Sequence, residues 1–526
     1  MKKISKFTNS NEILKSNTKQ ITPNKKIRIL VWLDFGPYAY FNFGIISALS
    51  KLDEFEFVGI VTIKKDMIFF QNQKFIKFKK LFYYPDCYIK KSNFNIDNLK
   101  KIEEEFDLNI WLNIFSDRSF YKFWTDFHKF TYEEILIIIE SSLVFFKDIL
   151  EKEKPKMILM QTPGENVSNV LLYELAKKMN IQTIMPMDIH YKNHIHISSN
   201  NKNSEISNKI GIIENNFEKS LPSYDKEFIK KQNYGDVLKT ISSFDSGMKS
   251  FSQKIKHYIR RMSNKLEPIY LNTGKTKLRL IQNRVHNNFE VKKRERFLEN
   301  YTEKTLQNEK FIYFPLQSEP EASILMNTPF YSNQINLIEI IAKSIPINYL
   351  LYVKEHPLQK IKLWRSIDDY KKIRNIPNVR FIHPNVNAQE ILEKSQGVIS
   401  ISGATGFEAL FHHKPIILFG DEYYDKLSMV TKIESIIDLP LKIKNALSNF
   451  KFNDKELSMF VKILKEFALP VPYYSIIKDG VLISSIQRNK NNFSLTESAF
   501  KKFIEKWEKE FTILAKTILQ RSTETN

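Results

Sequence analysis

The sequence contains one cysteine, Cys87, in 526 residues, so it forms no intramolecular disulfide and offers no cysteine cluster to a metal. No segment approaches the run of about 18 apolar residues that a membrane-spanning helix needs. The first residues carry lysines but lack an apolar core of signal-peptide length. We therefore expect a cytoplasmic protein, and we leave open a peripheral position at the inner face of the membrane.

Several chemical signatures are also missing from the sequence. There is no dinucleotide fingerprint, no Walker loop and no G-x-S-x-G nucleophile elbow. The basic helices lack the aromatic interleaving of an RNA-stacking sheet, so we expect no nucleic-acid partner. The histidines His190, His194 and His196 have no cysteine or carboxylate at ligand spacing nearby, and we expect no metal.

Positive charge is abundant, since 80 lysines and arginines face 59 acidic residues and give a formal charge of +21. This excess favours an anionic partner, namely a membrane surface, a nucleic acid or an acidic substrate. Residues 251–300 are helical in period and rich in Lys and Arg. They are a candidate surface for an anionic membrane or a polyanionic acceptor, and solvated helix faces are the alternative.

Two stretches of the chain alternate strands with helices, which is typical of parallel sheets covered on both faces. The first βαβ pattern begins at "KIRILVWLDF", and the second begins at "KFIYFPL". The sequence thus predicts an α/β protein in five parts: a flexible N-terminus (1–24), an N-terminal Rossmann-like acceptor domain (25–200), a basic helical inter-domain segment (201–305), a C-terminal Rossmann-like nucleotide-sugar domain (306–450) and C-terminal helices (451–526).

The last part carries apolar residues at helical spacing. A helix that packs on the core is the expected structure there, and a membrane-surface helix is the alternative. The residues are Phe500, Phe503, Ile504, Trp507, Phe511, Leu514 and Ile518.

Three polar clusters follow strands of the second α/β stretch. They read "QSEPEAS", "KEHP" and "SGATGFEA". Because ligands of open α/β sheets bind at the carboxyl ends of the strands, three clusters at one edge indicate a single site.

The "SGATG" cluster combines features that suit an anion. Gly403 and Gly406 allow close approach of the backbone, and Ser402 and Thr405 offer hydroxyl groups. A helix that begins near Thr405 would point free N–H groups at the ligand. The alternative is a plain strand–helix turn with Thr405 as the N-cap.

In "KEHP", Pro357 ends the strand and presents His356 at the sheet edge, where imidazole can bind a phosphate or a ribose. Lys354 is either a cation of the site or a surface charge at the strand end.

In "QSEPEAS", Gln317, Glu319 and Glu321 surround a proline. These carboxylates could orient a sugar or serve acid–base chemistry, and loop surface residues are the alternative. Beside a phosphate they would repel the ligand, which favours contact with hydroxyl groups.

Taken in order, "FPLQSEPEAS", "LLYVKEHP" and "ISGATGFEALFHHKPIILFG" resemble the capsule polysaccharide biosynthesis family over roughly residues 310–424. These are bacterial glycosyltransferases similar to the β-Kdo transferases of capsule export. The resemblance implies a GT-B-like architecture, with two Rossmann-like domains that face a cleft, a helical inter-domain segment and a C-terminal helix.

The resemblance also implies a CMP-linked donor and no metal, since helix termini and side chains stabilise the leaving phosphate in such enzymes. His356 and Pro357 would contact the CMP portion. The donor-binding set is Gln317, Lys354, His356, Pro357, Ser402, Gly403, Thr405, Gly406 and Glu408.

The catalytic candidates come from both domains. Many relatives read Gln-Pro-Glu where this chain has Glu319-Pro320-Glu321, which leaves Glu321 the better candidate. Asp34, Glu165 and Asp188 lie at or just after strand ends of the first domain, and each of them has a structural role as the alternative.

We therefore expect a glycosyltransferase of surface (capsular) polysaccharide synthesis. It would transfer Kdo or a related acidic sugar from a CMP-activated donor to a glycan or glycolipid acceptor. A related transferase that uses a UDP-sugar or CDP-glycerol stays open, because one fold serves several nucleotides. A non-catalytic polyanion- or lipid-binding protein is the alternative from another class.

Overall fold

The computed structural model describes residues 26–34, 36–52, 54–120, 127–189, 194–202, 204–213, 273–490 and 493–524. The predicted flexible N-terminus (1–24) lies outside these residues. Two α/β domains are present, and a group of helices at the end of the chain returns to the first of them.

The first domain is built on a six-stranded sheet of order β3-β2-β1-β4-β5-β6, in which only β6 is antiparallel to its neighbour. Its central strand reads "IRILVWL", and its apolar side chains are buried on both faces, as a parallel sheet between helices requires. The elements are β1 (Ile27–Leu33), α1 (Pro37–Leu49), β2 (Phe55–Val61), α2 (Lys64–Asn72), β3 (Phe78–Tyr83), α3 (Ile96–Glu105), α4 (Ile110–Phe115), α5 (Tyr132–Glu153), β4 (Met157–Leu159), α6 (Val167–Lys178), β5 (Gln182–Asp188) and β6 (Ile195–Ser198).

Within the described residues, the first domain is followed by the helices α7 (Ser204–Ile213) and α8 (Lys277–Tyr301). Ile206 and Ile210 of α7 pack in the core of the second domain, and so do Phe297 and Leu298 of α8. The described parts of the predicted inter-domain segment (201–305) therefore contribute to the second domain's packing, and residues 214–272 lie outside the described chain.

The second domain has a six-stranded sheet of order β12-β11-β10-β7-β8-β9, and every pairing in it is parallel. When β7 is counted as the first strand of this domain, the order is 6-5-4-1-2-3. Taken from the other edge of the sheet, this is the order 3-2-1-4-5-6 of the first sheet, and it is the strand order of the Rossmann fold. The elements are β7 (Phe311–Pro315), α9 (Ala322–Leu325), α10 (Gln334–Ser344), β8 (Leu350–Lys354), α11 (Ile367–Arg374), β9 (Val379–Ile382), α12 (Ala388–Lys394), β10 (Gly397–Ser400), α13 (Ala404–Phe411), β11 (Ile416–Leu418), β12 (Val430–Lys432) and α14 (Leu439–Ser448).

Four helices complete the chain: α15 (Asp454–Phe467), α16 (Tyr473–Lys490), α17 (Phe493–Lys506) and α18 (Glu508–Glu524). α15 packs in the second domain, whereas α16, α17 and α18 pack against the first domain. Phe511 of α18 lies so close to Gly44 of α1 that a Cβ there would be 2.3 Å from the ring. The predicted C-terminal part (451–526) thus divides between two cores, and the expected packing of its apolar residues is confirmed.

The sheet order places one switch point in each domain, between β1 and β4 and between β7 and β10. At a switch point the neighbouring loops leave in opposite directions and open a crevice at the carboxyl ends of the strands. The expectation of two Rossmann-like domains is confirmed, and the two crevices are where a ligand site is to be sought. Among the helices that the structure describes, none combines the length and apolarity needed to cross a bilayer.

Candidate functional site

The three polar clusters expected from the sequence follow β7, β8 and β10, three adjacent strands of the second sheet. Contacts between the loops confirm that they form one region. The Gln317 amide nitrogen, after β7, donates to the Ser402 carbonyl, after β10, over 2.6 Å. The Glu319 backbone N–H, after β7, donates to Gln359, after β8, over 2.9 Å.

The loop after β10 has glycines at the two positions that the sequence marked for close approach of the backbone. Gly403 is the N-cap of α13 and has φ 87°, a conformation that favours glycine. A Cβ on Gly406 would lie 2.5 Å from the Tyr424 hydroxyl oxygen, so this position also requires glycine. The alternative with Thr405 as the N-cap is wrong, because the helix already begins at Ala404 and Thr405 lies within its first turn.

A carboxylate lies against this loop. Glu422, after β11, accepts a hydrogen bond of 2.5 Å from the Gly403 N–H. In addition, the Tyr424 hydroxyl donates to the Gly403 carbonyl over 2.9 Å. Glu422 therefore engages the backbone donor that an anion at the start of α13 would use.

Two hydroxyl groups near the loop are buried without a hydrogen-bond partner. The Ser402 Oγ atom and the Ser318 Oγ atom make no hydrogen bond within the described residues, although both side chains are almost fully buried. Buried polar groups are nearly always paired in native proteins. Their unsatisfied hydroxyls are the kind of group that a bound ligand with several oxygens would satisfy.

The loop after β7 is fixed by a buried arginine. Arg365 is 7% exposed and pairs with Glu319 at 2.7 Å and with Glu355 at 2.9 Å. It also donates to the Gln317 carbonyl over 2.5 Å. Burial raises the pKa of the Glu355 carboxyl group even though Arg365 opposes that rise. One guanidinium thus holds the "QSEP" and "KEHP" loops together.

Glu319 and Glu321 differ in their surroundings. Glu319 accepts from Gln334 over 2.5 Å in addition to its bond from Arg365, and the bond that follows it to Pro320 is cis. Glu321 is more exposed and forms an ion pair with Lys362 at 2.7 Å. The geometry favours a positioning role for Glu319 and a role toward the open cleft for Glu321.

His356 is the N-cap of the short 3₁₀ helix Pro357–Lys362, and its Nδ1 accepts from the Leu358 N–H over 3.2 Å. In the neutral ring the proton then lies on Nε2, which is a hydrogen-bond donor. Lys354 ends β8 and is buried. Glu408 lies one turn along α13 and accepts from Gln389 over 3.0 Å.

A second group of polar residues belongs to the first domain and surrounds Tyr38, at the start of α1. Burial raises the pKa of the Tyr38 hydroxyl to about 12, with further contributions from Glu165 and Asp34. Glu321 of the second domain also contributes to this shift. Three of the catalytic candidates, Asp34, Glu165 and Glu321, therefore act electrostatically on one hydroxyl group.

Glu165 lies in the loop after β4 with φ 66° and pairs with Arg118 at 2.5 Å. The preceding Gly164 has φ 137°, and a Cβ on it would be 2.4 Å from the Ala322 Cβ. The two domains are therefore in direct contact one residue from Glu165 and one residue from Glu321. Asp188, at the end of β5, accepts from the Tyr474 hydroxyl over 3.0 Å.

Several of these residues were not expected from the sequence. Arg365 follows "KEHP" at a distance that no motif marks, and Arg118 lies in an aromatic stretch without clear periodicity. Two of these residues could have been found from the sequence. Tyr38 follows "GP" in the loop after β1, and Glu422 follows β11. Both therefore lie near the carboxyl end of a strand, where ligands of open α/β sheets bind.

Among the histidines after β5, His196 has a structural partner. His196 pairs with Glu205 at 3.0 Å, and burial lowers the pKa of its imidazole. His190 lies outside the described residues. In the part of the chain that the structure describes, no three His, Cys, Asp or Glu side chains come together as a metal site, and the absence of a metal stays a prediction.

Comparison with known proteins bears on the same region. Residues 219–437, less than half of the chain, match the family described as "capsule polysaccharide biosynthesis protein". The capsule polysaccharide modification protein LipB of Neisseria meningitidis serogroup A is 26% identical over 125 residues, 22% of this chain and 29% of that protein. The match thus spans less than a third of the length of this curated relative.

Two solved structures are similar at low identity. The KpsC β-Kdo 2,7-transferase of Thermosulfurimonas dismutans is 14% identical with a TM-score of 0.30, covering 64% of this chain and 88% of that one. The UDP-GlcNAc 2-epimerase of Methanocaldococcus jannaschii is 15% identical with a TM-score of 0.24, covering 84% and 100%. The family match and the LipB match confirm the expected resemblance: over its second domain, this chain is similar to the capsule polysaccharide biosynthesis family.

Proposed function

We propose that the protein is a glycosyltransferase of capsular polysaccharide synthesis that uses a CMP-activated donor and carries Kdo or a related acidic sugar. The observation that carries the proposal is the anion-binding turn at Gly403. It lies beside two buried, unpartnered hydroxyls and belongs to the region that matches the family. The sugar would be transferred to a glycan or glycolipid acceptor.

In this proposal the donor phosphate lies at the start of α13. The Gly403 N–H, the free N–H groups of the first turn and the Ser402 hydroxyl would donate to its oxygens. Thr405, in the same turn, would add a second hydroxyl. The Nε2–H of His356 would donate to the phosphate or the ribose, and a buried Lys354 would offset the negative charge from behind.

Transfer requires an acceptor hydroxyl that loses its proton as its oxygen bonds to the anomeric carbon of the sugar. The bond from that carbon to the phosphate oxygen breaks, and the nucleotide leaves with the bonding electrons. Glu165, Asp34 and Glu321 all act electrostatically on the Tyr38 hydroxyl, and each is a candidate to receive the proton. Glu165 is held in position by its ion pair with Arg118.

The test is calorimetric titration of the full chain with CMP, CDP and UDP. The proposal expects binding of CMP and no comparable binding of UDP. A related transferase that uses a UDP-sugar or CDP-glycerol would bind UDP or CDP in preference. Tight UDP binding without any response to CMP would overturn the choice of donor.

Two variants examine the residues. His356→Ala and Thr405→Ala should abolish transfer and weaken CMP binding with the fold retained, because both side chains lie at the edge of the site. Lys343→Ala is a control, since Lys343 is exposed near the end of α10 and pairs there with Glu339 at 2.7 Å. Full activity in both test variants would refute the assignment of the donor site.

We also propose that the protein associates peripherally with an anionic membrane surface through its basic segment (251–300), of which residues 273–300 are described. At the membrane surface the protein would have access to a glycolipid acceptor. A non-catalytic lipid- or polyanion-binding protein would show this association without any nucleotide affinity, so the titration with CMP separates the two functions.

A further inference from the structure

Helix α8 presents an apolar stripe to solvent. Four residues at spacings of three, four and four fall on one side of the helix, and a sheltered face lies opposite. The exposed fractions are 66% for Leu278, 47% for Ile281, 65% for Val285 and 65% for Phe289. Isolated exposed apolar residues are common, but a continuous stripe marks an interaction surface.

The orientation of α8 is fixed by the contacts of its opposite face. Phe297 and Leu298 are buried in the second domain. The Arg294 guanidinium donates to the carbonyls of Leu363 over 2.8 Å and Trp364 over 3.1 Å. Because the helix cannot rotate without breaking these contacts, the apolar stripe is held outward.

The outward face is also strongly basic. Lys277 lies beside the amino end of the stripe, and Lys292 and Arg296 continue it toward the carboxyl end. These three side chains form no ion pair within the described residues. Over positions 277–296 the helix has only two acidic residues, and both are engaged: Glu290 pairs with Arg294 at 3.4 Å and Glu295 with Lys360 at 2.7 Å.

We infer that the outward face of α8, defined by Leu278, Ile281, Val285 and Phe289 with its flanking cations, docks on an anionic phospholipid surface. Apolar side chains that can enter the membrane interface and cations that can pair with anionic headgroups lie together on this exposed face. Charge decides between a bilayer and a second copy of the chain. Two such basic faces would repel each other, whereas anionic headgroups would neutralise them.

The position of α8 connects this surface with the cleft. At the amino end of the helix, the Lys275 ammonium group lies 5.7 Å from the centre of the Phe127 ring of the first domain. At its other end α8 holds the backbone just before Arg365. The helix, about 37 Å long, therefore runs along both domains beside the donor loops. This docking surface deepens the membrane association proposed above and rests on it, whereas it does not depend on the proposed donor or on transferase activity.

The test is cosedimentation of the full chain with two kinds of vesicle, phosphatidylcholine alone and phosphatidylcholine mixed with phosphatidylglycerol. Wild type should bind only the mixed vesicles, and binding should weaken as salt is raised. Val285→Ser with Phe289→Ser should lower binding at least tenfold. Ile347→Ser, at a fully exposed apolar residue elsewhere in the second domain, should leave binding unchanged.

A second pair of variants separates charge from apolar contact. Lys292→Gln with Arg296→Gln should weaken binding and flatten its dependence on salt, whereas Lys371→Gln on α11 should do neither. Wild-type binding in both double variants, or equal binding to neutral vesicles, would overturn the inference.

Two further outcomes have fixed meanings. A wild-type dimer that becomes a monomer with Val285→Ser and Phe289→Ser would show that a second copy covers the stripe, and would also overturn the inference. Vesicle binding without any CMP binding would sustain docking and refute the proposed CMP-dependent transferase activity.

Discussion

Replacement of Arg365 by methionine is the sharpest perturbation of the candidate site's scaffold. The guanidinium is buried and pairs with Glu319 and with Glu355, whose side chain has no exposed surface. Methionine keeps much of the volume and removes the charge. Loss of one partner of a buried ion pair costs about 3–5 kcal/mol, because the other charge stays buried and unpaired.

For a domain of 150–250 residues, this loss corresponds to a fall of roughly 6–20 °C in the unfolding midpoint. The assay is thermal unfolding followed by circular dichroism, with the transition of the second domain resolved from the first. The double variant Arg365→Met with Glu355→Gln is the control, since it removes the stranded charge as well. It should recover a large part of the lost stability.

The loss of stability in Arg365→Met should also depend on pH. Burial already raises the pKa of Glu355 above 4.5, and removal of Arg365 takes away the main opposing charge, so the pKa should rise further. A carboxyl group with a raised folded pKa contributes its stability below about pH 4.5 and loses it as the pH rises through the folded pKa. The unfolding midpoint of the variant should therefore be closest to that of wild type near pH 4.5, and the difference should grow toward pH 7. An equal deficit at both pH values, or no recovery in the double variant, would refute the buried-charge reasoning.

Three further predictions concern the domain contact, the anion turn and the returning helices. Gly164→Ala should destabilise the protein by about 1–3 kcal/mol through backbone strain alone, as measured by thermal unfolding. Adding Ala322→Gly to the same chain should relieve the clash between the two Cβ atoms but not the backbone strain, so only part of the stability should return. Glu422→Gln should raise CMP affinity several-fold in calorimetry, because a neutral amide competes less well for the Gly403 N–H, and weaker binding would count against a phosphate there. Phe511→Ala should cost about 3–5 kcal/mol of unfolding free energy if α18 completes the first domain, and a cost near zero would contradict that packing.

Much of the architecture could be predicted from the sequence because buried parallel strands have a recognisable sequence pattern. Strands such as β1 and β10 are continuous apolar runs, and the loops that follow them carry glycine, proline and polar residues. The rule that strand ends share one edge was sufficient to bring "QSEPEAS", "KEHP" and "SGATG" together. The glycine positions were also readable, since Gly403 and Gly406 both have a physical reason to lack a side chain.

The residues that the sequence did not reveal act at long separation in the chain. Arg365 joins Glu319 and Glu355 through contacts that no local period encodes. Arg118 reaches Glu165 from a stretch whose aromatic residues obscure any helix or strand pattern. The apolar stripe of α8 was hidden for another reason. Its residues have the spacing of an ordinary core-facing helix, and only the observed orientation shows that they face solvent.

The most direct test of the account is a structure of the full chain with CMP bound. The account predicts the phosphate within hydrogen-bond distance of the Gly403 N–H and the Ser402 hydroxyl, with His356 on the nucleotide and Glu422 displaced from the turn. A phosphate bound elsewhere, with the Glu422 carboxylate still on the Gly403 N–H, would contradict the assignment of this turn as the donor site.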